Sequence, residues 1–186
     1  APDVSLAVNE GWYLGAEAVK GYYQTLAEQI TAQSKLIADI FPEELGGKSE
    51  AELNGVGTMD YKPVDTPVVE IAADGKTAKG MWYVYGSTTE VYSDGPKAAW
   101  NFGRCAVDFI KEDGQWKIWH MIMFTDIECP LGGNWGRDKM YPHEGVAIPE
   151  PTEKHAFYHS YDENFVSLVA PELPEPYDTF ANTFSY

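Results

Sequence analysis

His120 and Asp65 are the two side chains of this chain best suited to moving a proton. His120 sits in Trp119-His120-Met121, inside a run of apolar and aromatic residues. An imidazole titrates near neutral pH, so a closed pocket can tune it as a general base or acid. The competing reading is a histidine hydrogen-bonded in a core or at a subunit contact. Asp65 is flanked by Pro63 and Pro67 and adjoins the same aromatic region. Loss of water around such a carboxyl raises its pKa and makes it a base. An aspartate in a turn or bulge, bonded to nearby amides, fits the same sequence. Arg104 and Asp126 are placed to pair, at the mouth of a pocket or on the surface.

Around these groups Trp82, Tyr85, Trp100, Trp119, Met121 and Met123 supply ring and thioether surface for a planar apolar ligand, or for ordinary packing. Tyr83 and Tyr85 carry hydroxyls that suit a developing enolate if they face inward. His155 and His159 have the spacing of metal ligands on one helical turn, but no second ligand cluster accompanies them. They read as part of a solvated arm, and no metal site is expected. There is no glycine-rich phosphate loop and no nucleophile elbow.

The elements that must position these residues are legible from turns and periodicity. Asp74-Gly75 and Asp113-Gly114 each separate two strand-like runs, 66–71 from 77–85 and 102–110 from 116–124. Such turns predict an antiparallel, aromatic-rich sheet over about residues 58–126. Alternation puts Ile118, His120, Ile122 and Phe124 on one face of the last strand. Lys117, Trp119, Met121, Met123 and Thr125 fall on the other, and the sequence does not say which is inside. Pro63 and Pro67 confine their neighbourhood to an edge or a bulge. Before the sheet, residues 4–8 read as a strand and 11–15 as a turn filled with aromatics. From Ala16, apolar residues including Val19, Tyr22, Tyr23, Leu26 and Ile30 recur at helical spacing until Pro42. The rhythm lapses at Gln33-Ser34, where a bend or break is expected.

After Cys129-Pro130 the texture changes to prolines and scattered rings, among them Trp135, Phe157, Tyr158, Tyr177, Phe180 and Tyr186. The chain divides accordingly into a domain over 1–130 and an extended arm over 131–186. The arm is expected to lay its rings on its own sheet or on a neighbouring subunit.

The 186 residues carry a formal charge of −16, with 6 Trp and 12 Tyr. Phosphate-backbone binding draws on clustered Lys and Arg, so nucleic acid is excluded as a partner, and an anionic membrane surface with it. No apolar run spans a bilayer. Cys105 and Cys129 read as free thiols of a reducing, cytoplasmic setting, with a disulfide as the alternative. No secretory signal is visible, and the chain opens at Ala1 almost directly into a strand, as if something preceded it.

Gly11-Trp12-Tyr13-Leu14-Gly15-Ala16-Glu17-Ala18-Val19 resembles a strand-to-helix G-x-Y-x-G-x-E-x-V stretch. Together with the two long hairpins, it is similar to the SnoaL-like branch of the nuclear transport factor 2-like superfamily, over residues 1–126. The resemblance implies an α+β fold, a strongly curved antiparallel sheet in a cone-like barrel wrapped on a long helix. It also implies a largely apolar pocket for a small hydrophobic molecule, and no cofactor. Members include cyclases, isomerases and dehydratases working by acid–base proton transfer, and others that only bind ligands or assemble. A homo-oligomer, dimer or trimer, is expected. The chain departs from the family in three places. The chain is expected to start after the family's N-terminal helical pair, Asp65 stands where a His often precedes Thr-Pro, and Gly86 stands near an expected catalytic Asp.

Overall fold

The computed structural model describes residues 1–155 and 158–186, so the predicted anchor Phe157 lies outside it. Three Asp-Gly pairs build the sheet. At Asp113-Gly114 both residues take positive φ, 50° and 78°, the backbone of a two-residue turn matched to strand twist. It joins β6 (Gly95–Glu112) to β7 (Gln115–Pro130). Asp94-Gly95 joins β5 (Thr77–Tyr92) to β6, so this hairpin runs well past the predicted end at Tyr85. In the turn from β4 (Val64–Ile71) to β5, Asp74 Oδ1 accepts from the Lys76 amide at 3.0 Å, and Gly75 has φ 67°.

β4 is an edge strand with a bulge: the register against β5 shifts between Asp65 and Val68. Pro67 has no N–H to give a ladder, and the bulge accommodates it. Asp65 Oδ1 accepts from the Thr66 amide at 2.7 Å, and Thr66 takes φ 52°. β3 (Met59–Tyr61) shares the same edge of β5. At the other side, β1 (Ser5–Val8) pairs parallel to β7 and antiparallel to β2 (Gly11–Leu14). Two expectations change here. Gly11–Leu14 is a strand, not a turn, because the arm's Glu153 continues its bonding: the Trp12 amide donates to the Glu153 carbonyl at 2.7 Å. The sheet is also mixed rather than purely antiparallel. It has seven strands in the order β2-β1-β7-β6-β5-β3, with β4 also on β5. It is strongly curved and does not close into a barrel.

The helix α1 (Ala16–Ile40) starts after Gly15 at φ 84° and ends before Pro42. It is not broken at Gln33-Ser34, where lost periodicity predicts a bend or break. Both polar residues face inward and are satisfied. Gln33 Oε1 accepts from the Val91 amide at 2.9 Å, and Ser34 Oγ accepts from the Gly55 amide at 2.9 Å. Two short helices, α2 (Pro42–Leu45) and α3 (Glu50–Leu53), lead from α1 to the sheet. No helix among the described residues is long and apolar enough to cross a membrane.

Both faces of the sheet are covered, by different parts of the chain. Leu6, Val8, Met121 and Met123 pack with Val19 and Tyr22 of α1. Val84, Cys105 and Val107 continue this helix face with Trp82 and Phe109. On the opposite face Ala7, Met81, Ala106, Ile122 and Phe124 meet Tyr158 and Tyr186 of the arm. Ala7 and Ala106 are fully buried, and such small residues leave room for the arm's rings to lie flat. The rings of Phe124 and Tyr158 stack at 3.9 Å. Burying one side chain of this size stabilises a fold by about 1.5–3 kcal/mol. The arm therefore rests on its own sheet, and the two faces of β7 serve two different purposes.

Candidate functional site

Between α1 and the helix face lies an elongated cleft with three regions. At one end a cavity of about 580 Å³ is walled by Leu6, Val8, Val84 and Met123. At the other, a cavity of about 610 Å³ is walled by Gln29, Thr88, Glu90, Tyr92 and Tyr141. The middle, common to both, is lined by Tyr22, Leu26, Lys62, Glu128 and Ile148, with Glu10 and Asp60 at the rim. Apolar walls with a few convergent polar groups are the usual make-up of a small-molecule site.

Glu128 is placed there by the end of β7, where Glu128 pairs with Asn101 of β6. Glu128 is exposed along the cleft, yet the protein crowded around its carboxyl displaces enough water to raise its pKa above the usual range, and Glu90 and Glu10 push the same way, while Lys62 and Asn101 oppose. Lys62 is engaged by Asp60 at 3.2 Å. The Tyr22 hydroxyl is held well above the ordinary tyrosine range, by burial first and then by Glu10, so it stays a hydrogen-bond donor. A carboxylate of raised basicity and a protonated phenol facing one cavity are the parts needed to take a proton and steady the resulting oxyanion.

The residues singled out from sequence do not converge here. Met123 lines the cleft, and Met121 and Trp82 pack behind it on the helix face. His120 is on the other face, under the arm. Asp65 is exposed on the β4 bulge and bonded to its neighbour's amide, away from the cleft. Tyr83 and Tyr85 are exposed and stacked on each other at 6.1 Å, outside the cleft. Trp100 is also exposed, tilted against Phe102. Trp119 falls at a bulge between Asp108 and Phe109 in the β6–β7 register, so its ring lies on His120 at 4.4 Å and on Phe180 at 4.6 Å. Arg104 lines the cleft's edge but its guanidinium clamps Asp126 at 3.0 and 2.5 Å. Gly86 leaves no room for a catalytic side chain, since a Cβ there would lie 2.2 Å from the Tyr61 carbonyl oxygen.

His120 belongs instead to a buried ionic cluster. Lys79, Asp108 and His120 stand in one row across β5, β6 and β7. Lys79 Nζ donates to Asp108 Oδ1 at 2.5 Å, and both residues are fully buried. Asp108 Oδ2 lies 2.8 Å from His120 Nδ1 and accepts from Ser185 Oγ at 2.9 Å and from the Tyr186 amide at 3.0 Å. The rings of Phe184 and Tyr186 cover the Lys79 ammonium at 4.6 and 4.2 Å. The Ser–His–Asp composition suggests a hydrolase, but the geometry denies it. Ser185 and Asp108 share the same nitrogen of His120, whereas a proton relay needs them on opposite nitrogens. The cluster ties the end of the arm to the sheet.

His155 and His159 also have separate partners: Val8 O at 2.7 Å and Ser160 O at 2.8 Å. Cys105 and Cys129 are both free and buried. Sequence reasoning passed over Glu128, Tyr22 and Gln29. In the sequence Tyr22 belongs to an apolar helix face, and Glu128 falls beyond the predicted end of the last strand.

A family model described as a SnoaL-like domain matches residues 49–122, the stretch from α3 into β7. Several solved structures are similar. A protein of unknown function from Mycobacterium tuberculosis is 17% identical with a TM-score of 0.41, the match covering 68% of this chain and 56% of that one. Aln2 from a Streptomyces species is 16% identical with a TM-score of 0.40, covering 68% and 71%. A protein from Novosphingobium aromaticivorans, described as NTF2-like with a cystatin-like fold, is 12% identical with a TM-score of 0.38, covering 67% and 63%. No curated protein matches the chain significantly.

Proposed function

We propose that the cleft binds a small hydrophobic, ring-bearing molecule and moves a proton on it, as a lyase or isomerase does. Glu128 takes the proton from a carbon next to a carbonyl, and Tyr22 donates to the oxyanion that forms. The observation that carries this reading is that Glu128, a carboxyl of raised pKa, and Tyr22, whose hydroxyl stays protonated, line the middle of the same cleft. A raised pKa brings a carboxylate closer to the strength of base that such a step needs. The SnoaL-like domain supports the same class of chemistry, since it includes cyclases and isomerases.

A second reading, a ligand-binding domain without turnover, is favoured by one observation: neither His120 nor Asp65 reaches the cleft. Exchange of the α-protons of simple cyclic ketones such as 2-tetralone in deuterated water separates the two. The enzyme reading expects exchange above the buffer rate, lowered by about 10²–10⁴-fold in Glu128→Gln. Binding of the ketone without any accelerated exchange leaves only the second reading.

A further inference from the structure

The far end of the cleft contains a group with nothing to bond. Gln29 is 8% exposed, lines the 610 Å³ cavity, and its side-chain amide has no hydrogen-bond partner among the described residues. Its amide atoms are open to the cavity and not sealed in the core, so they can bond a ligand that enters. Its neighbour Gln33, one helical turn on, accepts from the Val91 amide through Oε1. Gln29 is therefore an unfilled donor and acceptor set into the wall of a cavity.

The charges around it are mostly negative. Glu90 lines the same end, Glu128 and Glu10 line the middle, and among the described residues no cation forms an ion pair with any of the three. Lys62 is occupied by Asp60 at 3.2 Å. Lys97, which stands opposite Glu90 on β6, pairs with Asp94 at 2.9 Å instead. Glu90 receives only a long bond from the Tyr92 hydroxyl at 3.3 Å. The mutual repulsion of these carboxylates is part of what raises Glu128. An ammonium group has donors only, and this end of the cleft has acceptors to spare: the Glu90 carboxylate and the Gln29 carbonyl oxygen. The opposite end, walled by Leu6, Val8, Val84 and Met123, takes hydrocarbon.

We propose that the ligand of this cleft is a hydrophobic amine: a ring system at the Val84–Met123 end and a protonated amine at the Gln29–Glu90 end. This rests on the cleft being the substrate site and names the class of molecule it takes. The reacting carbon then falls in the middle, opposite Glu128. The net charge of −16 adds a field that concentrates cations near the protein. Charge-assisted bonds to Glu90 supply the preference itself.

Three probes of one shape test this: 1-naphthylmethylamine, 1-naphthylmethanol and 1-naphthoate. Their binding to the intact chain is followed by calorimetry and by the methyl signals of Met123 and Ile148. The amine is expected to bind at least about tenfold more tightly than the alcohol, and the naphthoate most weakly. Glu90→Gln and Gln29→Leu should each cut the preference for amine over alcohol severalfold. If the alcohol or the naphthoate shifts the cleft methyls with equal or higher affinity, the amine proposal falls and the cleft reading survives. An amine that binds without moving those methyls also overturns it, as binding by surface charge alone. If none of the three probes moves them, the cleft reading falls as well.

Discussion

Asp108 and His120 face each other across β6 and β7, with Oδ2 and Nδ1 2.8 Å apart, on the side of the sheet covered by the C-terminal arm. This one relationship reassigns the histidine. It is a contact between sheet and arm, joined by Lys79, Ser185 and the Tyr186 amide, and the cleft lies on the opposite face. The ionic cluster and the cleft therefore give separate predictions, one for stability and one for chemistry.

Removing one partner of the Lys79–Asp108 pair leaves a charge buried without compensation. Asp108→Asn and Lys79→Met should each destabilise the fold by about 3–5 kcal/mol in urea denaturation. The double variant Lys79→Met/Asp108→Leu should lose less than the sum, because no lone charge remains. Single variants within about 0.5 kcal/mol of the parent would show that the pair contributes nothing.

Acid should release the same cluster. Burial alone would raise the Asp108 pKa, but bonds from His120, Lys79 and Ser185 outweigh it and hold the carboxyl below its ordinary 3.8. The unfolded chain thus binds this proton more readily than the folded one. The contribution is fully present above the unfolded value and is lost as pH falls through the folded one. Burial lowers the Lys79 pKa and Asp108 pulls it back, but in this acid window lysine is charged in both states and adds no slope. The stability gap between the parent and Asp108→Asn should narrow as urea midpoints are measured from pH 5 down to about 2. A gap constant over that range would contradict the assignment.

Proton transfer by Glu128 predicts a pH limb of defined direction. A base works in its ionised form, so ketone exchange should rise with pH through a pKa above the ordinary 4.5 for glutamate. Lys62→Met removes an opposing positive charge and should move that limb to higher pH. A limb that stays put in the Lys62 variant would separate it from Glu128.

Gly86 is required by a close approach of β3. A Cβ at this position would lie 2.2 Å from the Tyr61 carbonyl oxygen and 2.9 Å from Lys62 Cγ. Gly86→Ala should cost about 1–3 kcal/mol through displaced backbone, measured by thermal or urea unfolding. An unchanged midpoint would mean that the β3 edge moves freely.

The Cys105 thiol is buried and pushed up to about 11 by loss of water. At pH 8 only about one molecule in a thousand then carries the thiolate, so Cys105 should resist thiol reagents in the folded chain. Both cysteines should react after denaturation. Rapid labelling of Cys105 in the native protein, located by peptide mass, would contradict its burial.

Much of the frame was written locally. The Asp-Gly turns, the run of helical spacing up to Pro42 and the proline-marked bulge at Asp65 each depend on residues a few positions apart, and each took the expected form. The buried polar pair Gln33-Ser34 looked like a break because periodicity counts apolar residues. Its partners, Val91 and Gly55, lie in other elements.

Alternation along β7 sorted His120 from Met121 and Met123, yet it is symmetric between the two sides of a strand. Which side faces the cleft depends on what covers each one: α1 from the start of the chain and Tyr158 and Tyr186 from its end. Those contacts join residues more than a hundred positions apart in places, and no local pattern encodes them. The amino-acid order by itself determined the turns, the long helix and the alternation along the strands, though not the bulge that moves Trp119 beside His120. Only the tertiary structure decided which set meets the helix, and so placed Glu128 in a cavity and His120 beneath the arm. Burial and electrostatic surroundings belong to the assembled fold, and they make one ordinary glutamate a candidate base and one conspicuous histidine a fastening.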